Sequence, residues 1–217
     1  IEFSGSQNNF YLDFSLETYE TMNKLNSDRY EFVYPNYSLK KINYFEDKLV
    51  NNLEFISSGN QKKYSTNIYE AVQINDLIFN GSNNISKLGY NHNFKTIIKN
   101  VNSDGKNSSK FKENNQSEIL SMITYDMDLP LVKNNEKFNN SIIPKMSLRF
   151  SPNETKNLKD ESRFLNINNI FSLNRIGYNE TIESGASLTL GIDYNKKHKE
   201  NNNNFLSSKI ATVFRDE

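Results

Sequence analysis

Alternation with a period of two residues is the feature that most constrains this chain. Phe10, Leu12, Phe14 and Leu16 fall on one side of an extended strand, with Tyr11, Asp13, Ser15 and Glu17 on the other. Met146, Leu148 and Phe150 oppose Lys145, Ser147 and Arg149, and Leu188, Leu190, Ile192 and Tyr194 oppose Ser187, Thr189, Gly191 and Asp193. Ile119, Ile123, Tyr125, Met127 and Leu129 share one parity against Thr124, Asp126 and Asp128. Successive side chains of a strand point to opposite faces, so each run is an amphipathic strand.

Less regular runs extend the pattern over 30–42, 49–56, 68–79, 94–101 and 206–214. Pro35 interrupts the first of these. Proline has no amide hydrogen to give a neighbouring strand, so a bulge or a sheet edge is expected there. Helical spacing is scarce. Leu16 to Asn26 is its best window, and that window continues a strand pattern. Polar connectors are expected at Asn102 to Asn107, where Asp104-Gly105 is a favourable turn pair, and at Lys196 to Asn204. Lys106 to Ser117 reads as a long hydrophilic loop.

Composition narrows what such strands can build. Only 35% of the 217 residues are hydrophobic, which is lean for a soluble core of this length. The 15 Phe and 12 Tyr nevertheless separate the chain from disordered sequences. Asn is abundant, with a run at Asn201 to Asn204, and part of that excess is attributable to codon usage. The absence of Cys excludes disulfides and thiolate metal sites within the sequence. A net charge of zero gives no general electrostatic reason to bind nucleic acid. No apolar run approaches the roughly 20 residues of a membrane helix, and the first residues do not resemble a signal peptide. The lack of an initial Met and the strand-like ending at Arg215-Asp216-Glu217 lead to the expectation of a fragment cut at both ends.

Two architectures satisfy amphipathic antiparallel strands. In a sandwich the apolar faces meet each other. In a membrane barrel they meet lipid, and the polar faces line the lumen. Three features lean toward the barrel without excluding the sandwich. Many runs are about 9 residues or longer, as a tilted membrane strand requires. The polar faces carry Asp, Glu, Lys and Asn. Tyr11, Tyr19, Tyr30, Tyr44 and Tyr194 lie near run ends, where an interfacial girdle would sit.

The stretch Pro144 to Gly191 is more specific. It begins Pro144-Lys145-Met146-Ser147-Leu148-Arg149-Phe150-Ser151-Pro152-Asn153 and passes through Asp160-Glu161-Ser162. It then reads Asn168-Asn169-Ile170-Phe171-Ser172-Leu173-Asn174-Arg175-Ile176-Gly177 and closes with Glu183-Ser184-Gly185 before the next strand. This resembles the barrel of the LPS-assembly protein family, also called the organic solvent tolerance family. Asn169, Phe171, Asn174, Arg175, Gly177, Glu183 and Gly185 stand at the places of its motif. Tyr34-Pro35 and Tyr125 to Pro130 resemble the family more loosely. Leu158-Lys159 and Asn179-Glu180 depart from it, where a Pro-Asn and an Asp-Arg are usual.

The resemblance implies an all-β fold, an antiparallel transmembrane β-barrel fragment. Residues 1–217 would supply roughly ten meandering strands of a closed barrel of about 26, without the periplasmic jellyroll. It further implies a place in the cell outer membrane of a Gram-negative bacterium, in the translocon that assembles lipopolysaccharide into the outer leaflet. The implied partners are lipopolysaccharide, a plug lipoprotein inside the barrel, periplasmic bridge proteins reached through the missing N-terminal domain, and membrane lipid. No enzymatic activity, cofactor, catalytic residue or metal ligand is expected.

Within this frame Asn174-Arg175 stands out. Arg175 is set to pair with Glu183 or Glu161, with Asn169 capping a turn, either to order a loop or to contact the plug. Asp126 and Asp128 share a polar face and read as a solvated wall. His92 and His198 lie in polar connectors with no apparent catalytic or metal partners. No Gly-x-Ser-x-Gly or phosphate-binding glycine loop occurs. Another outer-membrane barrel, such as a porin or receptor, and a soluble β-sandwich surface-binding module remain the rival readings.

Overall fold

The computed structural model describes residues 1–22, 29–47, 49–154, 165–200 and 204–216. Among these residues twelve strands form in chain order: β1 Glu2–Gln7, β2 Phe10–Glu20, β3 Tyr30–Tyr44, β4 Val50–Tyr64, β5 Tyr69–Gly81, β6 Asn84–Ile85, β7 Asn91–Lys106, β8 Gln116–Asp128, β9 Leu131–Asn134, β10 Phe138–Ser151, β11 Gly185–His198 and β12 Asn204–Arg215. They belong to one sheet, paired in the order β1-β2-β3-β4-β5-β7-β8-β10-β11-β12. The short strands β6 and β9 attach to β7 and β10. The fold is all-β and antiparallel. The strand order is open, with β1 and β12 at its ends. Among the described residues there is no α-helix.

Local chemistry explains the less regular points. At Pro35 the β3–β4 register shifts between Val33 and Asn36, and the β2–β3 register shifts between Ser15 and Glu17. The missing amide at Pro35 cannot join a ladder, so the strands bulge around it. Asp104-Gly105 is not a turn, contrary to its dipeptide signature. Both residues lie inside β7, which continues to Lys106. The glycine serves close approach instead: a Cβ at Gly105 would lie 2.8 Å from the Phe111 carbonyl oxygen. The Gly105 amide also donates to the Lys112 carbonyl at 3.1 Å, so the following loop folds back on the strand end. The connector expected from Lys196 likewise shortens, because β11 runs on to His198.

The chain divides into two compact units. The first comprises Ile1–Glu46, Asn52–Phe79 and Ile97–Leu120. On one of its faces, Leu12, Leu39 and Ser57 are successive cross-strand partners, and Phe14 pairs with Tyr37. Phe14, Phe55, Ile98 and Ile119 are exposed in this unit, Ile119 at 74%. Val72, Ile74, Ile97, Val101 and Leu120 are buried. Lys99 is buried with them and donates to both carboxylate oxygens of Asp76, at 2.6 and 2.8 Å.

The second unit comprises Asp47–Asn51, Asn80–Thr96 and Ser121–Glu217. Register fixes its faces. Met127, Tyr125 and Ile123 of β8 pair with Met146, Leu148 and Phe150 of β10. Those pair in turn with Leu190, Leu188 and Ala186 of β11, and Ile192 pairs with Ile210 of β12. This apolar face is open: Ile123, Leu148, Phe150, Leu190, Ile192, Ile210 and Phe214 are all exposed, Ile210 at 73%. The opposite, polar face is the packed one. Ser147 and Thr189 are 0% exposed, and Thr124, Arg149 and Ser151 are buried beside them. A soluble protein does the reverse, because removing apolar surface from water is what drives its folding.

Candidate functional site

What packs against the polar face of the second unit is the connection between β10 and β11. Its described part, 165–184, is a chain of turns. Asn166 and Asn169 begin it with reciprocal side-chain caps: the Asn169 Oδ1 accepts the Asn166 amide at 2.8 Å, and the Asn166 Oδ1 accepts the Asn168 amide at 2.8 Å. Short amide side chains satisfy turn backbone in this way. The Ser172 hydroxyl then donates to the Asn169 carbonyl at 2.6 Å.

A second turn follows. The Asn174 Oδ1 accepts the Gly177 amide at 3.2 Å, and its Nδ2 donates to the Tyr178 carbonyl at 3.1 Å. Gly177 has φ +70°, a left-handed conformation that glycine adopts without a Cβ clash. Gly185, at the start of β11, has φ +76°. Between the turns the Phe171 ring settles on Gly191 of β11, where a Cβ would lie 2.8 Å from the Phe171 Cζ. The glycine thus opens a flat seat for an aromatic ring on an otherwise polar face.

Arg175 is the centre of the site and is 2% exposed. Its Nε donates to Glu183 Oε2 at 2.5 Å and its Nη2 to Glu183 Oε1 at 2.6 Å, a bidentate pair. The remaining donors reach β11: Nη1 donates to the Thr189 hydroxyl and Nη2 to the Ser187 hydroxyl, each at 2.9 Å. Burial pushes the Arg175 guanidinium below its ordinary pKa. Glu183 also holds Arg215 of β12. One carboxylate therefore serves two cations. Nearby, Arg149 of β10 donates through Nη1 to the Leu173 carbonyl at 3.0 Å and through Nη2 to the Ser172 carbonyl. It caps the carbonyl ends of the turn that Arg175 follows.

The seven motif residues therefore lie on one short segment and its landing strand. Phe171, Arg175, Glu183 and Gly185 meet β11 or β12, while Asn169, Asn174 and Gly177 shape the turns. Of the two carboxylates set against Arg175 in the sequence, Glu183 is held by it. Glu161, with the rest of Asp160-Glu161-Ser162 and Leu158-Lys159, lies outside the described residues. Sequence reasoning missed Arg149, Ser187, Thr189 and Arg215. Alternation places them on the polar face, but nothing local shows which loop they hold.

The remaining candidates are dispersed. Asp126 accepts the Ser147 hydroxyl at 2.6 Å and lies 3.8 Å from the Lys95 ammonium, whereas Asp128 accepts the Asn91 amide at 2.9 Å. The His92 ring rests 5.9 Å from both Tyr90 and Tyr125. His198 sits against Phe138 and Phe205 at 4.6 and 5.4 Å. Among the described residues no three His, Cys, Asp or Glu side chains gather as a metal site would require. The arrangement around Arg175 is a clamp made of ion pairs and hydrogen bonds.

Compared with protein-family models and with curated proteins, the chain matches none.

Proposed function

We propose that this chain is part of the wall of an outer-membrane β-barrel that assembles lipopolysaccharide into the outer leaflet. The observation that carries the reading is the inverted packing of the second unit. Its apolar face is open, while its Ser, Thr and Arg face is covered by the 165–184 segment. In water, each large apolar side chain left exposed forgoes about 1.5–3 kcal/mol of burial. Hydrocarbon removes that penalty, and a barrel closed by backbone pairing hides its amides from lipid. The polar face is then the lumen, and the Arg175 clamp holds a connection folded into it. The sugar-rich head group would pass on this hydrophilic side while acyl chains stay in the bilayer. The energy for transport enters elsewhere, since the sequence has no nucleotide-binding loop.

The choice of lipopolysaccharide assembly over another barrel function rests on the motif residues Asn169 to Gly185. Two experiments separate the layers of the proposal. The chain contains no Trp, so Leu148→Trp and Ile192→Trp, with Lys209→Trp on the opposite face, give three single-probe proteins. In vesicles with brominated acyl chains, the first two are expected to be strongly quenched and the third weakly. Equal quenching would sink the membrane reading. Depleting the parent protein in its own cells is expected to lower newly made lipopolysaccharide at the surface. Unchanged surface lipopolysaccharide, with lipid quenching intact, removes the assembly role and leaves a barrel of another kind.

A further inference from the structure

One face of the first unit changes chemistry abruptly along a single line. Read along β4, the residues of that face are Phe55, Ser57, Gly59 and Gln61. Along β5 they are Leu77, Asn75, Gln73 and Ala71. Along β7 they are Ile98, Asn100, Asn102 and Asp104, and along β8 Ile119 and Ser117, with Asn115 just before the strand. On all four strands an apolar residue gives way to amide or hydroxyl within one repeat. The boundary row is itself joined side chain to side chain. Ser57 Oγ donates to Asn75 Oδ1 at 2.7 Å, Asn75 Nδ2 to Asn100 Oδ1 at 3.1 Å, and Asn100 Nδ2 to Ser117 Oγ at 3.2 Å. Tyr37 extends it through its hydroxyl, 3.4 Å from Ser57 Oγ.

Beyond this row lies a groove of about 580 Å³. Tyr37 and Tyr69 form part of its wall, Ala71 lines it, and Gln61, Gln73 and Asn102 supply amides. Asn102 Nδ2 donates to Asn100 Oδ1 at 2.7 Å and to Gln73 Oε1 at 3.4 Å, which ties the groove to the boundary row. Among the described residues, Asp104 is the one charged side chain lining it. Two properties define the ligand class. Amides offer a donor and an acceptor side by side, the match for vicinal hydroxyls that each donate and accept. Tyrosine rings offer flat apolar faces with a polar tip, suited to the C–H face of a pyranose. A nearly uncharged lining does not favour phosphate or a cationic peptide.

We infer that this groove binds the sugars of glycolipid head groups that surround the protein in the same leaflet. The inference rests on the membrane reading above, which makes the apolar side of the boundary row the edge of the hydrocarbon. It goes beyond that reading by assigning a lateral, lipid-side sugar site distinct from the lumen. Such a shallow site is weak for a free sugar. Anchoring the sugar in the leaflet raises its effective concentration and makes occupancy substantial.

The chain has no Cys, so Ala71→Cys places a single thiol in the groove. Its reaction with a water-soluble maleimide is followed in phosphatidylcholine nanodiscs carrying either lipopolysaccharide with core sugars or lipid A without them. Core sugars are expected to slow labelling at least threefold relative to lipid A. Gln73→Leu or Gln61→Leu in the same background is expected to restore the lipid A rate. Equal rates in the two nanodiscs would overturn the site, as would slowing that persists in both variants. Equal slowing by released core oligosaccharide at the same total concentration would overturn the glycolipid source. Failure of the membrane reading is scored separately, by the lipid quenching of Leu148→Trp.

Discussion

Two polar assemblies, one in each unit, are held together by different means. In the second, Arg175 and Glu183 are fully ionic partners withdrawn from water, and the surrounding Ser187, Thr189 and Arg215 complete their coordination. In the first, which also buries the Lys99–Asp76 pair, a neutral row of Ser57, Asn75, Asn100 and Ser117 passes one hydrogen bond to the next across four strands, from buried Ser57 to exposed Ser117. The difference teaches that charge and neutrality are placed by task. A charged clamp is costly to break, because removing one partner strands the other in a low dielectric. That suits a segment that must stay docked. A neutral row loses about one ordinary hydrogen bond per deletion. That suits a boundary whose position matters more than its strength.

The sharpest way to break this contrast is Arg175→Ala, expected to destabilise the chain by about 3–5 kcal/mol in a urea titration of the folded protein in detergent or bilayer. A cost below about 1 kcal/mol would equate the clamp with the amide row. Next comes Leu148→Arg on the open face, expected to cost about 2–4 kcal/mol in a bilayer near mid-depth. The same change measured in a non-membrane setting should be nearly neutral, so an equal cost in both would remove the lipid assignment of that face. Gly191→Val forces a Cβ into the seat of the Phe171 ring, and overpacking of this kind costs about 1–3 kcal/mol. Combining it with Phe171→Ala should recover part of that loss, as a double-mutant cycle would show. The smallest effect is expected at Asn75→Ala, about 1 kcal/mol. A larger effect there would mean that the row acts cooperatively.

Much of this was legible in the sequence, and the gaps have physical causes. Period-two alternation located nine of the ten strands of the main order, because each has one apolar and one polar face. It missed β1, whose Glu2–Gln7 carries Phe3 as its single large apolar residue and so shows no alternation. It underestimated β4 and β7, whose far ends carry Asn, Ser and Lys on both faces. Asp104-Gly105 misled because the same dipeptide suits a turn and a strand that needs bare backbone for a neighbouring loop. The buried Val72, Ile74, Ile97 and Val101 were not foreseen on a face taken as hydrophilic. Asn75 and Asn100 were hidden in plain composition: the Asn excess was assigned to codon usage, and their shared parity with Leu77 and Ile98 was the overlooked signal. Arg175 and Glu183 entered only through the family resemblance, since they lie eight positions apart on an irregular segment with no strand or helix periodicity. Arg215 is farther still, and no local pattern reaches it.

The sharing of Glu183 has a temporal side. Synthesis and threading deliver Arg175 first, then Glu183, then the hydroxyls of β11, and Arg215 only with β12. Until that strand arrives, the carboxylate answers to a single guanidinium. The clamp over the polar face is thus completed by the β11–β12 hairpin, and a chain halted before it carries an incompletely latched segment.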